Sequence, residues 1–532
     1  MSINKKQIWL PLLLSVSLLI GMVFGYKLHE NMGDFAPRFG KKTNLNNQLS
    51  EILELIESKY VDSLSVESLK NSTIETLIAQ LDPHSSYIPA SRLETMNEEL
   101  QGNYHGIGIQ FEVINDTVAI ISLFENSPAE IAGLQIGDRI LKVDSTFISG
   151  RKLSQSVIKN TIRGKKGNTV TLTISRNNKT FISPVQISKI VSSNIDAAYF
   201  IEPGIGYIRI SKFSGNTYED FMEHIERLKK EGLEKLILDL RDNGGGLLDD
   251  AVQIADEFLD GSKEIVRTKG QNMPLEIYGA RRPGLFEKGK LVILINENTA
   301  SASEVLAGAV QDWNRGIILG RRSFGKGLVQ EQFTLNDGSA LRLTVARYYT
   351  PLGRNIQKPY QPGEDSIYSE DIAHRLKQGE LYNGVNNKHK GEVFTRADGL
   401  KLYSEEGISP DIFIPVDSTL HKISEQNIKL QESLTKIALQ FYKDNHIKIK
   451  SINETSQLTS LLRNDDSLAN SINSMDLTTE SKQIKGWQEL LLKEVAYILS
   501  WMLWKEEGYY KTCNTNDPVV TRALTIIKES EK

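Results

Sequence analysis

The sequence predicts a multidomain α+β protein built around an α/β core. Three observations carry this. Between residues 191 and 417, two apolar strand runs, "EKLILDL" and "LVILIN", are each followed by a small-residue turn and a helix. Residues 101–190 instead alternate short strands with glycine turns. Helical periodicity flanks both regions, at 48–100 and 418–532. The 532 residues leave room for several domains. A net charge of −4 lacks the basic footprint of a nucleic-acid-binding protein, and the lone cysteine, Cys513, allows no internal disulfide.

The chain opens on an uncharged run, residues 7–26, which as a helix would span about 30 Å. Lys5 and Lys6 precede it and only Lys27 follows closely. The positive-inside rule then predicts a single-pass anchor at 1–27 with the rest of the chain across the membrane. A cleaved signal peptide is the alternative. Residues 28–100 read as a polar linker and then helices. In "LSEILELIESKY", Leu49, Ile52, Leu55 and Ile56 fall near one face, and Ser65 is a candidate N-cap. "LDPHSSY" breaks that region. Within 101–190, "GIGIQFEVINDTVAIISL" reads as two strands around Asn115-Asp116. "SPAEIAGLQIGDRILKVD" reads as a short helix, a turn and a strand, "LSQSVIKNTIRG" as a helix, and "TVTLTISR" as a strand. The polar stretch 361–395 reads as an insertion or loop. Near the end, "WQELLLKEVAYILSWMLWK" is interrupted by Glu489, Lys493 and Glu494, which favours a buried or interface helix over a second membrane span.

"GRRSFGKG", residues 320–327, fits a phosphate-binding loop at Gly320, Gly325 and Lys326, but Gly327 stands where the Mg²⁺-holding hydroxyl belongs. The sequence after it alternates around Asn336-Asp337-Gly338, which predicts a hairpin rather than the helix a phosphate cradle requires. Neither a nucleotide nor a nucleic acid is expected as a partner. In open α/β sheets the ligand crevice lies at the carboxyl ends of the strands. "RDNGGG" and "ENTASAS" share that edge if their strands are parallel. The glycines at 244–246 offer N–H groups to a developing oxyanion, and Ser301 and Ala302 sit in the turn before the second helix. None of the eight histidines lies in a glycine-flanked or strand-end setting near these turns, whereas Lys326 does. Lysine can serve a serine as base when burial lowers its pKa, and Phe324, Leu328 and Val329 are apolar neighbours. The plainer readings are an N-cap or packing role for Ser301 and a solvated turn lysine for Lys326.

Over about residues 48–417 these motifs resemble the carboxyl-terminal processing, or tail-specific, serine peptidases, which carry a PDZ domain. "YVD" and "LDPHSSY" match the N-terminal segment, and "GIGIQF" with "SPAEIAGLQIGDRILKVD" the PDZ domain. "LDLRDNGGGLL", "TASASE", "QDW", "FGKGLVQ" and "GISPDI" match the peptidase core. The resemblance implies a crotonase-like α/β peptidase core at 191–417 and a PDZ domain at 101–190. It implies an endopeptidase that cleaves proteins at or near their C-termini through an acyl-enzyme. On the matching positions, Ser301 (rather than Ser303) is the nucleophile, Lys326 the general base and Gln330 the residue orienting the amine. The amides of Gly245 and Ala302 form the oxyanion hole. Gly244 stands where the family usually has proline, which leaves the first donor as Gly245 or Gly246. Asp312 falls where some members carry a supporting acid, with a helix-end surface charge as the other reading. His84 and Arg241 match motif positions with packing or loop-fixing roles.

In the PDZ-like part, the amides of Gly106, Ile107, Gly108 and Ile109 face a peptide's terminal carboxylate while the strand edge pairs with its backbone. The helix at 153–163, with Leu153, Val157 and Ile158, forms the other groove wall. The expected partners are proteins or peptides with exposed apolar C-termini, the membrane through the anchor, and a second copy or an adaptor through 418–532. No metal or cofactor is expected. The implied location is a bacterial inner membrane with the catalytic part in the periplasm, or the free periplasm after cleavage. Two rivals remain. A PDZ scaffold with an inactive core is opposed by the intact Ser301, Lys326 and Gln330. A related α/β fold that stabilises a thioester enolate with glycine amides needs no serine–lysine pair.

Overall fold

The computed structural model describes residues 45–529, apart from 164–166, 362, 364–367, 369, 385–390, 418–422 and 424–428. It divides into two compact units, residues 1–77 and 78–532. In the first, the helix Leu45–Lys59 and most of the helix Val66–Ala79 are described. Leu49, Ile52 and Leu55, on the face the periodicity predicts, are about half exposed.

The second unit is centred on a six-stranded sheet. Its spatial order is Ile195–Glu202, Ile205–Ile210, Lys235–Asp239, Lys290–Ile295, Ile317–Gly320 and Ile412–Phe413. The first pair is antiparallel and the others parallel. Parallel strands are covered on both faces, which is why these read as continuous apolar runs. Leu236, Leu238, Ile293 and Ile318 pack with the helices Thr217–Lys230, Leu248–Asp256 and Ala302–Asp312. On the opposite face Ile237, Val292, Leu294 and Leu319 pack with Val519, Val520, Ala523 and Ile527 of the helix Pro518–Glu529. The register sets Asp239 beside Leu294 and Ile295 beside Gly320, so three neighbouring strands end nearly level. The loops that follow them carry the residues singled out above.

The predicted hairpin joins Leu328–Thr334 to Ala340–Tyr349. It belongs to a five-stranded antiparallel sheet with Ser86–Ile88, Glu264–Lys269 and Glu276–Gly279. A third sheet runs Ile109–Ile114, Thr117–Leu123, Arg139–Val143, Thr169–Arg176 and Lys179–Gln186, with Thr146–Phe147 paired to Arg139–Val143. Its inner face, with Val118, Ile120, Ile140 and Leu172, packs on Ile158 and Ile162 of the helix Gln155–Ile162. Ala119 and Ile121 join a separate core with Leu434 and Leu499, from the helices Leu430–Asp444 and Trp487–Cys513.

Three expectations change. The helices of 418–532 were expected to meet a second copy or an adaptor. Instead their apolar residues are used within the chain, closing one face of the central sheet and the outer side of the third, and oligomer formation through them is not supported. The inner-membrane location is also corrected: among the described residues no helix is long and apolar enough to cross a membrane. The anchor expected at 1–27 lies outside the described residues. Finally, part of 361–395 is folded rather than loop. The helices Asp371–Lys377 and Glu380–Asn383 carry the buried Arg375, which pairs with Glu380 at 2.9 Å. Glu380 also holds Arg322, in the loop after Ile317–Gly320, at 2.8 Å.

Candidate active site

Ser301 is the N-cap of the helix Ala302–Asp312, with φ 56° and ψ −118°. A non-glycine residue at positive φ is uncommon and costs about 1–3 kcal/mol unless its surroundings fix it. They do here. The Ser301 N–H donates to Glu304 Oε2 at 2.8 Å, and the Tyr348 hydroxyl donates to the Ser301 carbonyl at 3.0 Å. The result is a sharp strand-to-helix turn that presents a serine at the positive end of a helix. Ser303 is fully buried and donates its hydroxyl to the Asn243 carbonyl, so it packs the turn rather than facing the crevice.

Ser301 and Lys326 line one cavity of about 630 Å³, together with Gly245, Gln330, Arg342 and Tyr348. Lys326 Nζ donates to Gln330 Oε1 at 3.0 Å, and Gln330 Nε2 donates to the His84 carbonyl at 2.5 Å. The amine therefore has a fixed bearing, and "LDPHSSY" supplies the backbone acceptor at its root. Lys326 makes no hydrogen bond to Ser301 in this structure; such bonds commonly tighten only with substrate bound. Burial, then the charge of Arg342, holds the lysine pKa below its ordinary value, against the pull of Glu304 and Asp82. The His84 ring hydrogen-bonds Tyr368 at 2.8 Å instead, and burial with the Lys326 charge pushes it down to about 4.

The residue that joins the two turns is Glu304, which the sequence reading missed. Its side chain is fully buried. Oε1 accepts from Ser323 Oγ at 2.5 Å and the Gly325 N–H at 2.8 Å. Oε2 accepts from the Lys326 and Ser301 N–H groups, each at 2.8 Å. Ser323 Oγ in turn receives the Ile408 N–H, from "GISPDI", at 2.6 Å. Half of this was legible, because "SASE" has the serine-to-glutamate spacing of a capping box.

The oxyanion candidates are placed unequally. Gly245 lies against the serine turn: a Cβ there would sit 2.7 Å from Ser301 Cβ and 2.9 Å from Ala302 N, at φ 94°. Its N–H, however, donates to Asn243 Oδ1 at 2.9 Å. Among the described residues the N–H groups of Ala302 and Gly246 have no partner. Asn243 is fully buried: its side-chain amide donates to the Ile210 carbonyl, and its own carbonyl accepts the Ala300 N–H of the serine turn.

Asp312 is neither exposed nor in the cavity. It meets Arg354 at 2.5 Å with both side chains 1% exposed, and it accepts the Leu352 N–H at 2.9 Å. Removing one partner of a buried pair typically costs about 3–5 kcal/mol. Asp312→Ala is accordingly expected to lower the thermal midpoint strongly while the remaining folded fraction keeps its turnover per molecule; calorimetry and active-site titration separate the two. Arg241 fixes its loop, pairing with Asp239 at 2.6 Å and Asp517 at 2.7 Å.

A second cavity, of about 760 Å³, lies along the free edge of the strand Ile109–Ile114. Gly106, Ile107, Gly108 and Ile109 all line it. Among the described residues the Ile107 and Gly108 N–H groups have no partner. Gly108 has φ 75°, and a Cβ there would collide with Ser127 at 2.3 Å. The helical wall differs from expectation. Gln155, Ser156, Lys159 and Ile162 line the cavity, whereas Leu153 and Ile158 pack into the core and Val157 is half exposed. The face toward the cavity is therefore offset from the expected one by about one position.

Residues 204–364 match the model of Peptidase family S41, and residues 106–183 match a PDZ domain. A carboxy-terminal-processing protease of Bartonella bacilliformis is 36% identical over 376 residues, covering 70% of this chain and 84% of that protein. A Staphylococcus aureus protein named "Probable CtpA-like serine protease" is 34% identical over 314 residues, 58% of this chain and 62% of that one. Among solved structures, a photosystem II D1 C-terminal processing protease is 26% identical and covers 69% of this chain and 92% of its own, at a TM-score of 0.35. The fold and the two matched regions define a serine-type peptidase with a PDZ domain. The chain belongs to the carboxy-terminal-processing proteases of Peptidase family S41.

Proposed function

We propose that Ser301 and Lys326 form the catalytic dyad of this peptidase, with Gln330 positioning the amine. Neutral Lys326 Nζ takes the Ser301 Oγ proton as Oγ attacks the scissile carbonyl carbon. The oxyanion is met by the Ala302 amide and by a glycine amide, either Gly246 as it stands or Gly245 after release from Asn243. The protonated lysine then gives its proton to the departing amine, leaving an ester on Ser301. Water attacks that ester with Lys326 again as base, and serine and the new carboxylic acid are regenerated. The groove at Gly106–Ile109 receives the substrate's C-terminal tail as an added strand. In this reading the PDZ domain spans 101–190 and the peptidase core 191–417, and the substrates are proteins with exposed apolar C-termini. The observation that carries the proposal is the hydrogen bond from Lys326 Nζ to Gln330 in the cavity that Ser301 also lines.

A serine-directed fluorophosphonate tests it, since peptide mapping should recover the adduct on Ser301. Labelling elsewhere, or none in a chain that cleaves substrate, overturns the assignment. The pH profile tests the lysine. A neutral base makes kcat/KM rise with pH through the Lys326 pKa. The Arg342 charge helps to hold that pKa down, so Arg342→Gln is expected to move the rising limb to higher pH and lower activity near neutrality. An unmoved limb would exclude Lys326 as the titrating group.

A further inference from the structure

The helix Trp487–Cys513 is broken at Trp504 and Lys505, with φ −130° and 58°. At the break Lys505 Nζ donates to Ser122 Oγ at 2.6 Å and to the Leu123 carbonyl, at the end of the strand Thr117–Leu123. The next residue, Phe124, donates its N–H to the Gly108 carbonyl at 3.0 Å and lines the tail groove. This helix is thus bolted to the strand that backs the groove. One turn before the break, Trp501 lines the same groove as Gly106, Gly108 and Glu112. It also lines a second cavity of about 330 Å³, to which Glu112 and Ile121 contribute as well.

A tail added beside Ile109–Ile114 sends alternate side chains to opposite faces of the sheet. Ile109, Phe111 and Val113 pack on the inner core, so that side is apolar and suits an apolar terminal residue. The second and fourth residues from the end then face the other side, where Ile121 packs with the C-terminal helices. Lys159 and Arg163 line the groove with the two amides that have no partner, which suits a carboxylate-ended strand.

We propose that Trp501 is a specificity-determining residue of the tail groove. It contacts the side chains of the bound tail that point away from the PDZ core and selects large apolar or aromatic residues at the second and fourth positions from the end. The inference rests on the reading of this groove as the tail site, and the experiment separates the two. The full chain carrying Ser301→Ala, which binds without cleaving, is titrated with fluorescein-labelled peptides by anisotropy. The peptides carry Phe or Ala at the second and fourth positions and end in Leu, either as free acid or amide. The Phe peptide is expected to bind about tenfold tighter than the Ala peptide, the scale of one added aromatic contact. Adding Trp501→Ala should bring that ratio to near one while the Ala peptide's affinity holds. Trp501→Phe, which keeps the packing, should retain most of the ratio and guards against misfolding. A ratio that survives in Trp501→Ala, with the free acid still preferred over the amide, overturns the role of Trp501 alone. Equal binding of acid and amide overturns the tail groove itself.

Discussion

Ser301→Ala and Lys326→Ala are each expected to lower kcat/KM on an unfolded polypeptide with an apolar tail by about 10⁴–10⁶-fold, with the double variant hardly worse than either alone. The near-equality follows from the mechanism, because a hydroxyl without its base and a base without its hydroxyl leave the same oxyanion donors and the same binding. Lys326→Arg sharpens the test. Guanidinium stays protonated in proteins, so it can fill the space and donate to Gln330 yet cannot accept the serine proton. It is expected to be as inactive as Lys326→Ala. Tail-peptide affinity should be unchanged throughout, because neither Ser301 nor Lys326 lines the groove. Undiminished cleavage by any of these variants would remove the dyad from the mechanism. A wild-type chain that binds tails and cleaves nothing would favour the scaffold reading instead.

What the sequence revealed follows from how local each signal is. Ser301 and Lys326 could be brought together because both follow parallel strands, and the carboxyl ends of such strands converge. Glycine positions near the serine turn were legible for the same reason. The acceptor that fixes Gln330 was not, because the His84 carbonyl lies 246 positions away, in the turn before the strand Ser86–Ile88. The helical region 418–532 showed apolar faces, but periodicity states that a face is covered and not by what; the cover proved to be the same chain. The helix Gln155–Ile162 was found with the wrong face toward the groove. A 100° step per residue makes such a rotation a one-position error, and only packing of Ile158 into the core resolves it. For Asp312 the surface-charge reading came from its place at a helix end, where exposure is the ordinary outcome, whereas its partner Arg354 lies 42 positions on.

Glu304→Gln, nearly identical in shape, is expected to damage both stability and catalysis. Each carboxylate oxygen accepts two donors, so an amide in its place must turn its NH₂ toward two of them whichever way it flips. If the NH₂ replaces Oε2, the Ser301 and Lys326 amides lose their acceptor together, and the turns carrying the nucleophile and base are no longer tied. Two buried donors left unsatisfied, at about 1–3 kcal/mol each, predict a loss of about 2–6 kcal/mol. A misplacement of about 1 Å between reacting groups predicts a fall of about 100-fold in kcat/KM. The pH dependence of stability distinguishes this carboxyl from a passive filler. Burial pushes Glu304 up to about 7, against the opposing pull of its hydrogen bonds, from an ordinary value of 4.5. The unfolded chain then releases this proton first as pH rises, so the contribution is fully present below about 4.5 and lost as pH rises through about 7. Denaturant midpoints measured across that window should fall more steeply with pH in the wild type than in Glu304→Gln, which has no proton to release there. Parallel slopes would show that Glu304 does not titrate in this range. A Gln variant with wild-type stability and turnover would show that the two turns are held by something other than this side chain.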